Sequence, residues 1–349
     1  MSVSVRDAPD GARKLQPVPV PTAGGAGIIA SVMLSLLALA ALAGIDIPAS
    51  LTAIALTKPY GGWLLLVLGA AVIGLADDVF GLPAVVKFLV LGGLCAAAAT
   101  QSAAVDIAVP WLGTVIVDDG ALPLWMMAGL ALWFFVFING ANFMDGADGL
   151  AFGCLAIMLV GITVALGTVY LPLIGLVGQS VWTVLLVPVL TVSAIAGFLV
   201  WNLQGKLYGG DTGALTLGAL FAVMGAHTAG HVGIWYVAIL SLPFLVDVVM
   251  TVLYRLLKGD NIIRAHREHA YQLFIRRGAS PARVAVLWWG FSLACMLAAA
   301  TILWQEPRMP GYGLVLFASL LMVGVTLWLW QRLALRTKRE DPHAVAGTV

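Results

Sequence analysis

Four short polar stretches interrupt an otherwise apolar chain: Asp77-Asp78, Asn139 to Asp148, Gly209-Gly210-Asp211, and His266 to Gln272. Each lies beside a long hydrophobic run, where a carboxylate is costly enough to imply a task. In the first stretch neighbouring helical residues diverge by about 100°, so Asp77 and Asp78 are expected to face different partners. Two acids at a membrane interface can bind a magnesium-carrying phosphate or accept a proton, and Lys87 can offset their charge or hold a phosphate. In the second, Asn139, Asn142, Asp145 and Asp148 recur every three residues, which predicts one slowly rotating helical face. Gly140, Gly146 and Gly149 would let backbone approach a ligand there. Asparagine offers the donors and acceptors a nucleobase edge requires, whereas aspartate accepts from base or ribose or binds metal.

The third stretch, Lys206-Leu-Tyr-Gly-Gly-Asp211-Thr-Gly-Ala, predicts a helix N-terminus whose free amides and dipole favour phosphate. Asp211 as a simple N-cap and Lys206 as a boundary marker are the plainer readings. In the fourth, His266 and His269 are three apart, a spacing that can put both on one helical face, and with Arg267 they offer donors suited to a pyrophosphate. Two histidines without a nearby cysteine fall short of a zinc set, and a basic loop resting on anionic lipid is the plainer alternative. Asp247, inside an apolar run, is read as either a pocket residue or a structural partner of Arg255. The combined expectation is an enzyme at a membrane surface, acting on a phosphorylated substrate with a divalent metal.

Of 349 residues, 61% are hydrophobic and 10% charged, against roughly 25% charged in soluble domains. The positioning elements are therefore membrane helices. Ten apolar runs approach the length needed to cross ~30 Å of hydrocarbon: 26 to 44, 62 to 76, 84 to 103, 122 to 139, 148 to 168, 181 to 203, 213 to 229, 233 to 257, 283 to 304 and 311 to 331. Residues 169 to 180 would suit a half-helix, and 105 to 118 a short hairpin on the outer side. The expected fold is an all-α polytopic membrane protein with one transmembrane catalytic domain over 26–331, a polar N-terminal segment over 1–25 and a basic tail over 332–349. The first run exceeds a signal-peptide core and is read as a retained span. Of 18 Lys and Arg, all but Lys58 and Arg308 fall on one side, which the positive-inside rule makes cytoplasmic. All four polar stretches fall on that side. Asp46, Asp106, Asp118, Asp119, His227 and His231, on the other, show no such clustering. Cys95, Cys154 and Cys295 lie in apolar runs as packing residues, and a net charge of +1 implies no nucleic-acid partner.

These residues carry a resemblance. Pro21-Thr-Ala-Gly-Gly25, Asp77-Asp78 with Gly81 and Lys87, Asn139 to Leu150, Gly210-Asp211-Thr-Gly213 and the histidine loop resemble the polyprenyl-phosphate N-acetylhexosamine-1-phosphate transferase family. The resemblance implies magnesium-dependent attack by undecaprenyl phosphate on the β-phosphorus of a UDP-sugar, releasing UMP, with Mn2+ as the alternative ion. It implies Asp211 as the metal ligand, Asp77 as the acid that deprotonates or positions the lipid phosphate, and Asp78 as a further catalytic acid. Asn142, Asp145 and Asp148 would line the nucleotide cleft; His266, Arg267 and His269 would meet pyrophosphate or sugar. Lys87, Asn139 and Lys206 complete the expected substrate-binding set.

Members of that family carry a span before the Pro-Thr motif, and 20 polar residues precede Pro21 here, so this first helix is expected to be missing. Ala23-Gly24 stands where many relatives have Pro-Arg. The triple histidine of the cell-wall precursor enzyme is absent; His266-Arg-Glu-His269-Ala-Tyr-Gln272 is similar to the O-antigen-initiating subgroup. The donor is therefore expected to be a UDP-N-acetylhexosamine or a UDP-deoxyamino sugar, the location the bacterial inner membrane, and the partners the bilayer and, as an open question, a second copy in a homodimer. The rival reading is a secondary transporter, which predicts polar groups near the bilayer midplane and an inverted repeat.

Overall fold

In a computed structural model the described residues are 6–7, 20–44, 59–102, 107–109, 113–115, 122–173, 180–261, 267–305, 309 and 311–333. Among them are α1 (Gly24–Leu42), α2 (Tyr60–Phe80), α3 (Ala84–Gln101), α4 (Leu124–Met144), α5 (Leu150–Tyr170), α6 (Ser180–Asn202), α7 (Gly210–Val232), α8 (Ile234–Lys258), the short α9 (Ala270–Ile275), α10 (Pro281–Gln305) and α11 (Tyr312–Leu333). Ten of these are long and apolar enough to cross a bilayer, one for each expected run. A 3-10 turn over Leu171–Leu173 stands where the half-helix was expected to begin, and 174–179 lie outside the described residues. Strands β1 (Arg6–Asp7) and β2 (Val20–Pro21) pair antiparallel, as do β3 (Ile107–Val109) and β4 (Gly113–Val115), the latter being the expected hairpin.

The boundaries differ from expectation where the chain turns polar. α2 runs past residue 76 to Phe80 and ends on Gly81, which is left-handed at φ 66°, so both acids of the first stretch are helical. α4 continues past 139 but stops at Met144. This corrects the single helical face expected over 139–148: two asparagines are helical, while Asp145 and Asp148 lie in the turn before α5. α7 begins at Gly210, placing Asp211 in its first turn. Hydropathy misses these extra turns because each contains polar residues that other helices satisfy.

The centre of the bundle is α7, which packs against α1, α2, α4, α5 and α8. It is also the least apolar span, with a mean hydropathy of 1.3 against 2.3 for α1 at the periphery. Lipid tails are as apolar as leucine, so burial inside a membrane protein selects small residues that let backbones approach, and α7 is rich in Gly, Ala and Thr. The outer helices turn Leu34, Leu68, Leu89, Leu132, Leu297 and Met322 outward, as hydrocarbon demands. At the centre Phe137 of α4 stacks on Phe221 of α7 at 4.5 Å and on Phe244 of α8 at 5.5 Å. At the end away from the four polar stretches, the Tyr170 hydroxyl bonds both His227 and His231 (2.9 and 3.0 Å), and His227 is buried there rather than solvated as expected of an outer loop residue.

The tightest helix contacts surround the start of α7. A methyl group at position 74 would lie 2.5 Å from the carbonyl oxygen of Asp211 and 2.6 Å from Cα of Thr212. Both are backbone atoms that cannot move aside. Gly74→Ala should therefore lower stability by about 1–3 kcal/mol, read as a fall in melting temperature in detergent. Gly129→Ala, on an open surface of α4, should leave melting unchanged.

Candidate active site

The site is assembled on the first turn of α7. Asp78 reaches across from α2 and accepts the backbone N–H of Asp211 (2.9 Å), the backbone N–H of Thr212 (2.9 Å) and the Thr212 hydroxyl (2.6 Å). A helix N-terminus presents amides with no partner of their own; an acid from another helix supplies one here. Gly210 makes this approach feasible, since it is left-handed at φ 66° and a Cβ there would lie 2.5 Å from Asp78 Oδ2. The preceding segment is stitched to the start of α1: Tyr208 N–H donates to Pro21 O, Gly24 N–H to Tyr208 O and Gly25 N–H to Gly209 O, each at 2.9 Å. The Pro-Thr and Gly-Asp-Thr-Gly motifs are thus one structural unit.

With α7 so placed, Asp211 faces Lys87 and Asn142. Lys87 Nζ lies 2.8 Å from Oδ2 of Asp211 and 2.8 Å from Oδ2 of Asp77, bridging the two. Asn142 Nδ2 donates to the other Asp211 oxygen at 2.8 Å, and the Leu82 N–H donates to Asp77 Oδ1 at 2.7 Å. Asp77 and Asp78 do face different partners. The Lys87, Asp77 and Asp211 side chains stay 22%, 16% and 24% exposed, so a ligand can reach them.

Asp145 and Asp148 add negative charge to this cluster from the α4–α5 turn. The Asp145 carboxyl is raised well above the usual carboxylate range, first by desolvation and then by the charges on Asp211, Asp148 and Asp78. Asp148 is also raised by desolvation. Two carboxylates, Asp77 and Asp211, thus meet the Lys87 ammonium, and Asp78, Asp145 and Asp148 add to the field around Asp211. Among the described residues no three carboxylate, imidazole or thiolate side chains form a ready-made ion cage. An oxygen-only donor set with excess negative charge nonetheless fits magnesium, which is commonly held by one or two carboxylates plus substrate phosphate. The Lys87 ammonium marks where positive charge is favoured.

The turn is clamped by groups the sequence reading passed over. Asn202, buried at the end of α6, accepts the Gly149 N–H at 2.7 Å and donates to Leu207 O at 2.9 Å. The indole of Trp289 donates to Gly149 O at 2.9 Å. Asn202 had one visible signal, an amide closing an apolar run. The Tyr208 hydroxyl is raised by desolvation and then by Asp148 and Asp145, which places it in the same electrostatic field.

The histidine stretch docks on the same turn. Tyr271 donates to Phe143 O at 2.7 Å, next to Asp145, and its hydroxyl is raised mainly by burial, then by Asp247. His269 is buried between Phe143 and Tyr271, with ring centroids 5.8 and 6.0 Å away. Arg267 is half-buried beside it, and His266 lies outside the described residues. Two expected residues stay apart from the cluster. Asn139 turns its amide back onto Phe135 O at 2.8 Å, and Lys206 is exposed on Gln204 Oε1 at 2.7 Å. The cluster sits at helix ends: the last turns of α2 and α4 and the first turns of α3 and α7. A transporter site near the midplane would look different.

Comparison with known proteins finds similar sequences. The sequence model of glycosyl transferase family 4 matches residues 60–228. The chain is 26% identical over 293 residues to the decaprenyl-phosphate N-acetylglucosaminephosphotransferase of Mycobacterium leprae, covering 74% of this chain and 69% of that protein. It is 29% identical over 283 residues to a probable undecaprenyl-phosphate N-acetylglucosaminyl 1-phosphate transferase of Bacillus subtilis, covering 79% and 71%. It is 27% identical over 306 residues to the phospho-N-acetylmuramoyl-pentapeptide-transferase of Desulforudis audaxviator, covering 80% and 84%.

Two outcomes are expected. Asp78→Ala removes the acceptor for three donors and should lower stability by about 1–2 kcal/mol, measurable by denaturation in detergent, whereas Asp77→Ala should affect it less. Asp145 holds its proton more tightly when folded than unfolded, so ionising it opposes folding; stability is greatest below the ordinary carboxylate range and falls as pH rises toward the raised value. Asp145→Asn, which cannot ionise, should melt above the wild type at about pH 8, with the gap closing near about pH 4.

Proposed function

Because the chain belongs to glycosyl transferase family 4, among the polyprenyl-phosphate hexosamine-1-phosphate transferases, we propose that it transfers a sugar 1-phosphate from a nucleotide sugar to a polyprenyl phosphate. In finer terms, the donor is a UDP-N-acetylhexosamine or UDP-deoxyamino sugar, the acceptor undecaprenyl phosphate and the ion magnesium. The product, an undecaprenyl-diphosphate-linked sugar, begins O-antigen or a related surface polysaccharide. The reading includes a site on the cytoplasmic face of the bacterial inner membrane, an orientation that the distribution of basic residues supports. The observation that carries the reading is the Lys87 ammonium held 2.8 Å from both Asp77 and Asp211 at the end of an apolar bundle.

An oxygen of the lipid phosphate attacks the β-phosphorus of the donor, the bond from that phosphorus to the bridging oxygen breaks, and UMP leaves with the bridging oxygen. Two anions must meet for this, so the protein's task is to position them and offset their repulsion. Asp211, with Asp77 beside it, would hold the metal, which when bound supplies charge neutralisation to the transferring phosphoryl group. Asp77 orients the lipid phosphate or takes its proton, and Lys87 is already placed to hold a phosphate oxygen. Asn142, Asp145 and Asp148 border the space for the nucleotide. His269, packed on the Tyr271 ring that docks beside the Asp145 turn, and Arg267 would meet the diphosphate.

Purified protein incubated with undecaprenyl phosphate, magnesium and a panel of UDP-amino sugars should release UMP and form lipid-linked sugar. EDTA should abolish this, and Asp211→Asn should reduce turnover by at least about 100-fold. Robust turnover by that variant removes Asp211 from the metal role; substrate transport without UMP release supports the transporter instead.

A further inference from the structure

Asp247 lies in the apolar middle of α8 with no exposed surface, and the reaction scheme above does not use it. Spacing suggested Arg255 as its partner. The structure pairs Arg255 with Glu268 at 3.2 Å instead, and the Asp247 carboxylate points toward the segment leading into α9. Its Oδ1 accepts the Ala270 N–H at 2.7 Å and faces the Thr251 hydroxyl at 3.4 Å. Thr251 in turn accepts the indole N–H of Trp328 of α11 at 3.1 Å. Its Oδ2 lies 3.4 Å from Nδ1 of His269.

The two oxygens therefore do different work. Capping the first amide of α9 needs a single acceptor, which an asparagine would supply equally well. A second carboxylate oxygen buried in an apolar bundle is costly unless something polar faces it, and what faces it here is the imidazole. At 3.4 Å this is an ion-pair contact rather than a formed hydrogen bond, and a carboxylate at that distance favours a proton on Nδ1 over Nε2. Phe143 and Tyr271 flank the ring, and Tyr271 is anchored on Phe143 O, two residues before Asp145.

We infer that Asp247 is a positioning residue for the transfer reaction: it holds the His269 imidazole in one tautomer and one orientation so that Nε2 meets the diphosphate of the nucleotide sugar. This rests on the function proposed above. Asp247 touches no substrate and acts through His269, while its other oxygen keeps the histidine segment docked on α8.

A double-variant cycle on UMP release from the full chain in detergent separates this from a purely structural role. Asp247→Asn keeps an oxygen for the Ala270 amide, so its melting temperature should stay near that of the wild type, while kcat falls roughly 10- to 100-fold. In a His269→Gln background the same change should cost nothing further. Additive losses, or an unchanged kcat in Asp247→Asn, overturn the inference. A second measurement does not depend on turnover. In protein labelled with 15N-histidine, the ring signals missing from His269→Gln identify His269, and they should show Nδ1 protonation in the wild type and shift in Asp247→Asn. Unshifted signals sink the inference even if no product forms. Shifted signals with no turnover by the wild type count against the proposed reaction and leave the positioning intact.

Discussion

A helix that starts inside an apolar bundle must find partners for its first amides within the protein, and α7 finds them in Asp78. Everything at the site follows from that contact. It fixes the direction of α7, which sets Asp211 against Lys87 and Asn142, and Lys87 then draws in Asp77. A carboxylate near hydrocarbon is a liability when free. Bonded to a helix start, it becomes a fixed point from which other charges can be placed. The same device recurs where Asp247 of α8 accepts the first amide of α9. In both cases an acid on one helix orients a second element that carries groups for the chemistry.

The close approach this requires explains the composition of α7. Gly74 rests against the Asp211–Thr212 backbone, and Phe152 packs against Gly209 and Gly213. Larger residues would push α7 outward and carry Asp211 away from Lys87. The least hydrophobic span is therefore the most enclosed, and the leucine-rich helices form the shell. Residual negative charge is the functional counterpart of this packing. Lys87 offsets the charge on Asp77 and Asp211 only in part, and the proposed reaction would bring a cation and a phosphate to the remainder.

The spans, the hairpin over 107–115 and the divergence of Asp77 from Asp78 were legible in sequence, because each rests on local periodicity or on run length. The four-residue polar face over 139–148 was not correct. Its spacing of three is compatible with a helix, but the helix stops at Met144 and Asn139 bonds its own backbone. Lys206 misled in a similar way, since a basic residue beside a phosphate-like motif gives no indication of where a flexible side chain points. Thr212, Asn202 and Tyr208 were given no role because hydroxyls and amides at helix ends are common, and only their partners distinguish them.

Run length and residue type settle the ten spans found among the described residues and which residues are too polar to lie in lipid without a purpose; the sixteen basic residues on one side point to an orientation. These are properties of short segments and follow from solvation alone. Which carboxylate caps a helix, which meets the ammonium and which faces a histidine was decided only by the fold. Asp78 and Thr212 are separated by 134 positions and Lys87 and Asp211 by 124, and contacts at that separation exist only once α7 has packed among its neighbours.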